Sequence, residues 1–159
     1  MKKLFALATI AILVFTSAEK SIAQNHTPNN LPPGAFSTTA GGWAMTAKIN
    51  GKDYKAHSMM PPDKAEQIVG FYNGDKYIGL PYIIKYFVAG KKISLDDYNA
   101  DLTTADDVQV WNGRKGEIEI TKVTGDWVEG KFFFTGYSYD NKHTIEVTNG
   151  FFRIAFAKK

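Results

Sequence analysis

The residues able to do chemistry are few and scattered. The chain has no cysteine and three histidines, His26, His57 and His143. A zinc site would need His57 and His143 together with carboxylates from distant strands, and no local spacing suggests one. Glu117 and Glu119 alternate along one stretch, which places them on one strand face roughly 7 Å apart. That separation suits paired-carboxylate glycoside chemistry, but Lys131 is expected to pair with Glu119 and leave a solvated face. Gly136-Tyr137-Ser138-Tyr139-Asp140 approaches the G-x-S-x-G nucleophile elbow. Its last glycine is missing, and a strand and hairpin follow where an elbow requires strand, turn and helix. Asp97, Asn99 and Asp101 match the D-x-N-x-D opening of a calcium loop, with Leu102 in place of the glycine and Val108 in place of the closing glutamate. Asp106 and Asp107 would add oxygens to a calcium site of another type. No cofactor is expected, calcium at Asp97, Asn99 and Asp101 being the one ion kept as a candidate, and no catalytic residue is assigned.

The elements that would position these groups begin after an N-terminal preamble. Lys2 and Lys3 precede an apolar run from Leu4 to Phe15, and Ser21-Ile22-Ala23 precedes Gln24. This is the order of a secretory signal peptide cleaved after Ala23. About a dozen apolar residues fall short of the roughly 20 that cross a bilayer as a helix, so no transmembrane span is expected. No cysteine follows the run, which excludes lipid attachment there, and export brings no disulfides. Residues 1–23 hold three lysines and one glutamate, so the net charge falls from +3 to +1 on their removal. Acids and bases are interspersed, and nucleic-acid binding has no electrostatic footprint. Residues 24–42, "QNHTPNNLPPGAFSTTAGG", read as a flexible linker. Asn25-His26-Thr27 within it fits a glycosylation sequon of use only in a eukaryotic secretory pathway. Residues 43–159 are then one domain, large enough for a core without staples.

From Trp43 onward apolar residues recur with a period of two. Trp43, Met45, Ala47 and Ile49 alternate with polar positions, and Asn50-Gly51 gives a type I′ hairpin. Pairing Ile49 with Lys52 sets Ala47 opposite Tyr54 and Met45 opposite Ala56. A second hairpin near Gly74-Asp75 sets Val69 and Phe71 against Leu80 and Ile78. "PYIIKYFVAG" and "KKISL" continue the strand-like composition, Pro81 hinting at an edge or bulge. "DDYNADLTTADD" is a long insert with room for a helical turn or two. Four further strand-like stretches follow: 107–111, 116–123, 127–137 and 143–156. The fold class is all-β, a single antiparallel sandwich or barrel of about 8–10 strands.

"GEIEITKVTGDWVEGKFFF" reads as a hairpin with a three-residue loop, Thr124-Gly125-Asp126, placing Val123 opposite Trp127 and Thr121 opposite Glu129. Glu119 then faces Lys131 and Glu117 faces Phe133, while Ile118 meets Phe132 and Gly116 meets Phe134. Phe132 and Phe134 belong to the core, and Phe133 to the wet face. Ile145 and Val147 share a side with Phe152, Ile154 and Phe156 only if Asn149-Gly150 changes the parity, as a β-bulge or as another hairpin; the bulge is favoured. Phe151 and Arg153 then point outward. Trp127, Phe133, Tyr137 and Phe151 form a candidate ligand-binding aromatic group outside the core. It is covered by the protein's own chain, open as a groove, or buried against another subunit.

The G-x-I-x-I-T stretch at Gly116, Ile118, Ile120 and Thr121 is followed by G-x-F-x-F at Gly130, Phe132 and Phe134. Thr148-Asn149-Gly150-x-Phe152 follows in turn. These motifs, with the early "AKINGKDYKA", resemble an uncharacterised family of small exported β proteins of Gram-negative bacteria, a domain of unknown function whose members are often lipoproteins. The resemblance covers most of residues 45–156 and implies the fold only, since the shared positions are core and turn residues.

The functional expectation is a non-catalytic β domain exported to the periplasm or extracellular space, a binding or structural module. Its partner would be an extracytoplasmic protein, a glycan or a small apolar ligand. A lipocalin- or streptavidin-like barrel holding a small apolar ligand is the alternative, and a weak glycan-directed enzyme using Glu117 and Glu119 is a third reading.

Overall fold

The alternation becomes hydrogen-bonded structure in a computed structural model of the chain, which describes residues 36–37, 42–60, 62, 66–73, 76–104 and 110–156. Residues 1–23, read above as a signal peptide, and most of residues 24–42, read as a linker, lie outside these residues. The strands are β1 (Phe36–Ser37), β2 (Ala44–Ile49), β3 (Lys52–Lys55), β4 (Ser58–Met60), β5 (Gln67–Asn73), β6 (Lys76–Pro81), β7 (Lys92–Ser94), β8 (Ala100–Thr103), β9 (Val110–Thr124), β10 (Trp127–Tyr137) and β11 (Thr144–Ala155). They form one sheet, antiparallel throughout, in the order β1-β4-β5-β6-β8-β9-β10-β11-β2-β3, with β7 also paired to β9. β1 falls inside the stretch read as linker. Among the described residues the strands number eleven, against an expected 8–10.

The sheet curls into a half-barrel, and the 52–60 segment draws its ends together. β3 pairs with β2, while β4, which starts three residues after β3 ends, pairs with β5. The change of partner happens between consecutive residues: Ala56 N–H donates to Met45 C=O at 2.9 Å, and His57 N–H to Phe71 C=O at 2.7 Å. Tyr54 spans the same corner from β3. Its hydroxyl donates to Gly70 C=O, and burial pushes the phenol well above the tyrosine range.

The concave side is filled. Met45, Met59, Ile68, Ile78, Leu80, Leu95, Leu102, Ile118, Ile120, Phe134, Phe152 and Ile154 are all fully buried there. Asn50 and Gly51 take φ of 46° and 79°, as a type I′ turn requires, and the β2–β3 register is the expected one. Asn50 also ties the turn to β11, its Oδ1 accepting Glu146 N–H at 2.9 Å.

Four local expectations are corrected. The β9–β10 turn has two residues, Gly125 and Asp126, so Trp127 faces Thr124 and Val128 faces Val123. A bulge at Thr121, whose hydroxyl bonds Glu129 C=O at 3.2 Å, then absorbs one residue and restores the expected pairing from Lys131 to Phe133. In β5–β6 the register lies one residue away: Ile68 faces Leu80 and Gly70 faces Ile78, while Val69 and Phe71 sit on the other side with Gly79 and Tyr77. Phe71 and Tyr77 rings lie 5.9 Å apart there, so both sides of this hairpin bury apolar surface and alternation could not choose between them. Residues 82–91 fold as a 3₁₀ turn (Ile84–Tyr86) and a loop, not a strand. Finally, the long insert supplies β8 instead of a helical turn at 100–103.

Two substitutions test this frame in urea melts. Phe134→Ser should lose about 3 kcal/mol or more, because it opens a core cavity and buries a hydroxyl, while Phe133→Ser should cost clearly less. Equal large losses would show that the outer face is a second core. Tyr54→Phe should lose about 1–3 kcal/mol by removing the hydroxyl's hydrogen bond to Gly70 C=O at the corner; no loss would remove the phenol from the closure.

Candidate functional site

Three phenylalanines in sequence divide as a strand must divide them. Phe132 and Phe134 are buried, and Phe133, between them on β10, is 51% exposed. Both neighbouring strands bulge beside it. On β9, Lys115 (φ 50°) and Gly116 together oppose Phe134, and on β11, Thr148 and Asn149 (φ 51°) together oppose Phe133. Asn149-Gly150 is therefore a bulge within one continuous strand.

An open groove of about 400 Å³ surrounds the Phe133 ring, lined by Glu117, Glu119, Lys131, Thr148 and Asn149 with Phe132 and Gly150 at its base. A second depression of about 310 Å³ lies on the far side of Asn149, lined by Thr46, Lys48, Asp53 and Lys55. The ion pair expected between Glu119 and Lys131 is not formed, although the two face each other across β9 and β10. Glu117 instead takes Lys92 of β7 at 2.8 Å, and the Lys92 ammonium is raised chiefly by that hydrogen bond. Lys92, Thr148 and Asn149 were not read as site residues. β7 was legible as a strand, but its place beside β9 was not; the bulge was legible, but not its consequence, an outward amide next to Phe133.

The other three aromatics do not join this groove. Trp127 stands at one end of β10 with the Arg153 guanidinium 4.5 Å from its ring, and Tyr137 at the other with the Lys115 ammonium at 5.6 Å. Phe151 faces Lys131 from β11 and is half-buried. Each keeps the outward direction expected of it, but they are strung along the face, not gathered.

Ser138 is a turn residue. Its hydroxyl is buried, donates to Asp140 Oδ1 at 2.7 Å and accepts His143 N–H at 3.0 Å. Its proton is thus directed at a carboxylate, with the His143 backbone on its lone pair, which is not the geometry of a serine nucleophile. Of the calcium residues, Asp101 accepts Gln67 Nε2 at 2.8 Å on β8, while Asp97 and Asn99 are exposed before it. No three acidic or histidine side chains converge among the described residues. Asp106, Asp107 and Val108 lie outside them. No helix of the described residues is long and apolar enough to cross a membrane.

Comparison of the chain with protein-family models, with curated proteins and with solved structures finds no match.

The β10–β11 turn carries a pH dependence. The Ser138 hydroxyl, followed by the Lys142 N–H, holds the Asp140 carboxyl below its ordinary value of 3.8. The unfolded chain therefore takes up that proton first. The contribution to stability is complete above the ordinary value and disappears as pH falls through the lower folded one. Hydrogen exchange of the Lys142 and His143 amides should accelerate in that acid window, beyond the intrinsic dependence, and Asp140→Asn should abolish the acid-specific step. An unchanged step in the variant would assign it elsewhere.

Proposed function

We propose that the protein is a non-catalytic binding module, exported through residues 1–23, that holds its ligand or partner on the outer face of β10 at Phe133. The reading rests on one observation: a half-exposed phenylalanine set among carboxylates, an ammonium, a hydroxyl and an amide in an open groove. A ligand that presents an apolar face and hydrogen-bonding groups together, as a glycan or a polar peptide does, matches that lining. The ring removes apolar surface from water, and the polar rim fixes orientation.

The filled concave side weighs against the barrel alternative, because Phe132, Phe134 and Phe152 occupy the space that a small apolar ligand would need. The glycoside reading is weakened differently. Glu117 is bonded to the exposed Lys92 ammonium at 2.8 Å instead of standing with Glu119 in a cleft, where the paired-carboxylate reading needs both. The kinship with small exported β proteins is part of the same proposal and is supported by the Gly-x-Phe-x-Phe and Thr-Asn-Gly-x-Phe stretches, which supply Phe132, Phe134 and Phe152 to the core.

Native mass spectrometry of protein purified from its host's extracytoplasmic fractions tests the reading. The unaltered protein should carry an added mass that Phe133→Ser loses while it remains folded. Retention of the same mass by Phe133→Ser, or no added mass in either form, counts against the site.

A further inference from the structure

Residues 82–91, between β6 and β7, form a lobe pinned to the core, with an outward tip. Its anchor is Phe87, buried between Tyr82 at 5.3 Å and Phe156 at 5.2 Å, both edge-on. Gly90 N–H donates to Ile120 C=O at 2.7 Å, and Ile120 N–H to Lys91 C=O at 2.9 Å, which rivets the loop to β9. Inside it, Phe87 N–H reaches Ile84 C=O at 3.0 Å and Val88 N–H reaches Tyr86 C=O at 2.7 Å. With Phe87 turned in, its neighbours turn out: Val88 is 62% exposed and Ile84 37%.

Two cations flank these aliphatic groups. Lys85 Nζ lies 5.0 Å and Lys91 Nζ 4.9 Å from the centroid of the Tyr86 ring, whose hydroxyl meets that of Tyr98 at 3.3 Å. Neither lysine makes an ion pair among the described residues, whereas Lys92 beyond them is taken by Glu117. The ring therefore gathers two ammonium groups beside an exposed aliphatic tip.

We propose that this lobe docks on an anionic lipid bilayer, with Val88 and Ile84 entering the interface, Lys85 and Lys91 meeting headgroup phosphates and Tyr86 at the boundary. Aliphatic tips with lysines that reach back to a charged surface, and a tyrosine between, are the composition of interfacial anchors. The charge is also complementary, since juxtamembrane lysines are drawn to anionic leaflets. A protein groove suits this tip less well, because lysine is depleted where protein interfaces are buried.

The test is co-sedimentation of the host-processed protein with phosphatidylcholine vesicles, with and without phosphatidylglycerol. Binding should require phosphatidylglycerol. It should fall roughly tenfold or more in Val88→Asp and in Lys85→Glu/Lys91→Glu. A charge-matched control on the exposed β3 lysines, Lys52→Glu/Lys55→Glu, should change it far less, and Phe133→Ser should leave it intact. All variants should be folded at the assay temperature. Absence of binding to phosphatidylglycerol vesicles overturns the proposal, as does an equal loss in the β3 control, which would indicate net charge alone. Loss of a soluble protein partner in Val88→Asp, with vesicle binding unmoved, overturns it in favour of a protein docking site.

Discussion

Aromatic rings laid against bare backbone decide how this sheet can curl. Gly130 on β10 is the cross-strand partner of Phe152 on β11, and Gly150 on β11 is the partner of Phe132 on β10. A Cβ on either glycine would come within 2.5 Å of the facing ring. Each ring therefore occupies the volume that its partner's side chain would fill, and it shields that backbone from water. The two exchanges are reciprocal, and the rings meet in the interior, Phe132 lying 6.5 Å from Phe152 and 6.4 Å from Phe134. The same device recurs at the closing corner, where a Cβ on Gly70 would sit 2.8 Å from Met45 Sδ. Interiors packed to crystal-like density tolerate no such overlap, so these positions are fixed by space more than by backbone conformation.

The bulges beside Phe133 follow from that packing and build the groove as a by-product. Val147 and Phe152 both face inward, although five positions separate them, which strict alternation forbids. One extra residue at Asn149 reconciles the two halves of β11 and leaves Thr148 and Asn149 exposed together. On β9, Gly116 performs the matching adjustment against Phe134, since a Cβ there would lie 2.6 Å from Phe134 Cβ. Bulges bend a strand and re-aim side chains. Here they bring three strands into the core while crowding polar groups around one outward ring.

The parts legible in the sequence were those governed by local rules. Asn50-Gly51 dictated its own turn, and the alternation across Phe132, Phe133 and Phe134 dictated inside and outside. What escaped was set by distant partners. Residues 82–91 have strand composition, but Phe87 is drawn between Tyr82 and Phe156, and the chain leaves the sheet to deliver it. The β5–β6 register escaped because both sides of that hairpin are apolar. At the site, the outward direction of Phe133 was legible. The Lys92–Glu117 pair was not, because it depends on β7 lying beside β9, a contact made across residues far apart in sequence.

The outer face carries a consequence of its own charges. Its pairs, Lys92–Glu117, Lys48–Asp53 and Arg153–Glu129, are partly or largely exposed and contribute at most tenths of a kcal/mol to roughly one each. They therefore do not hold the curl, which the rings and the Tyr54 corner already hold. What they do is keep one side of the sheet wet. On that wet side, a phenylalanine left half in water forgoes part of the roughly 1.5–3 kcal/mol that its full burial would contribute. Glu119 and Lys131 face each other beside it without an ion pair, so their charges remain available to solvent at the rim of the ring. The loss is local to Phe133, and so is the surface on which an arriving ligand would recover it.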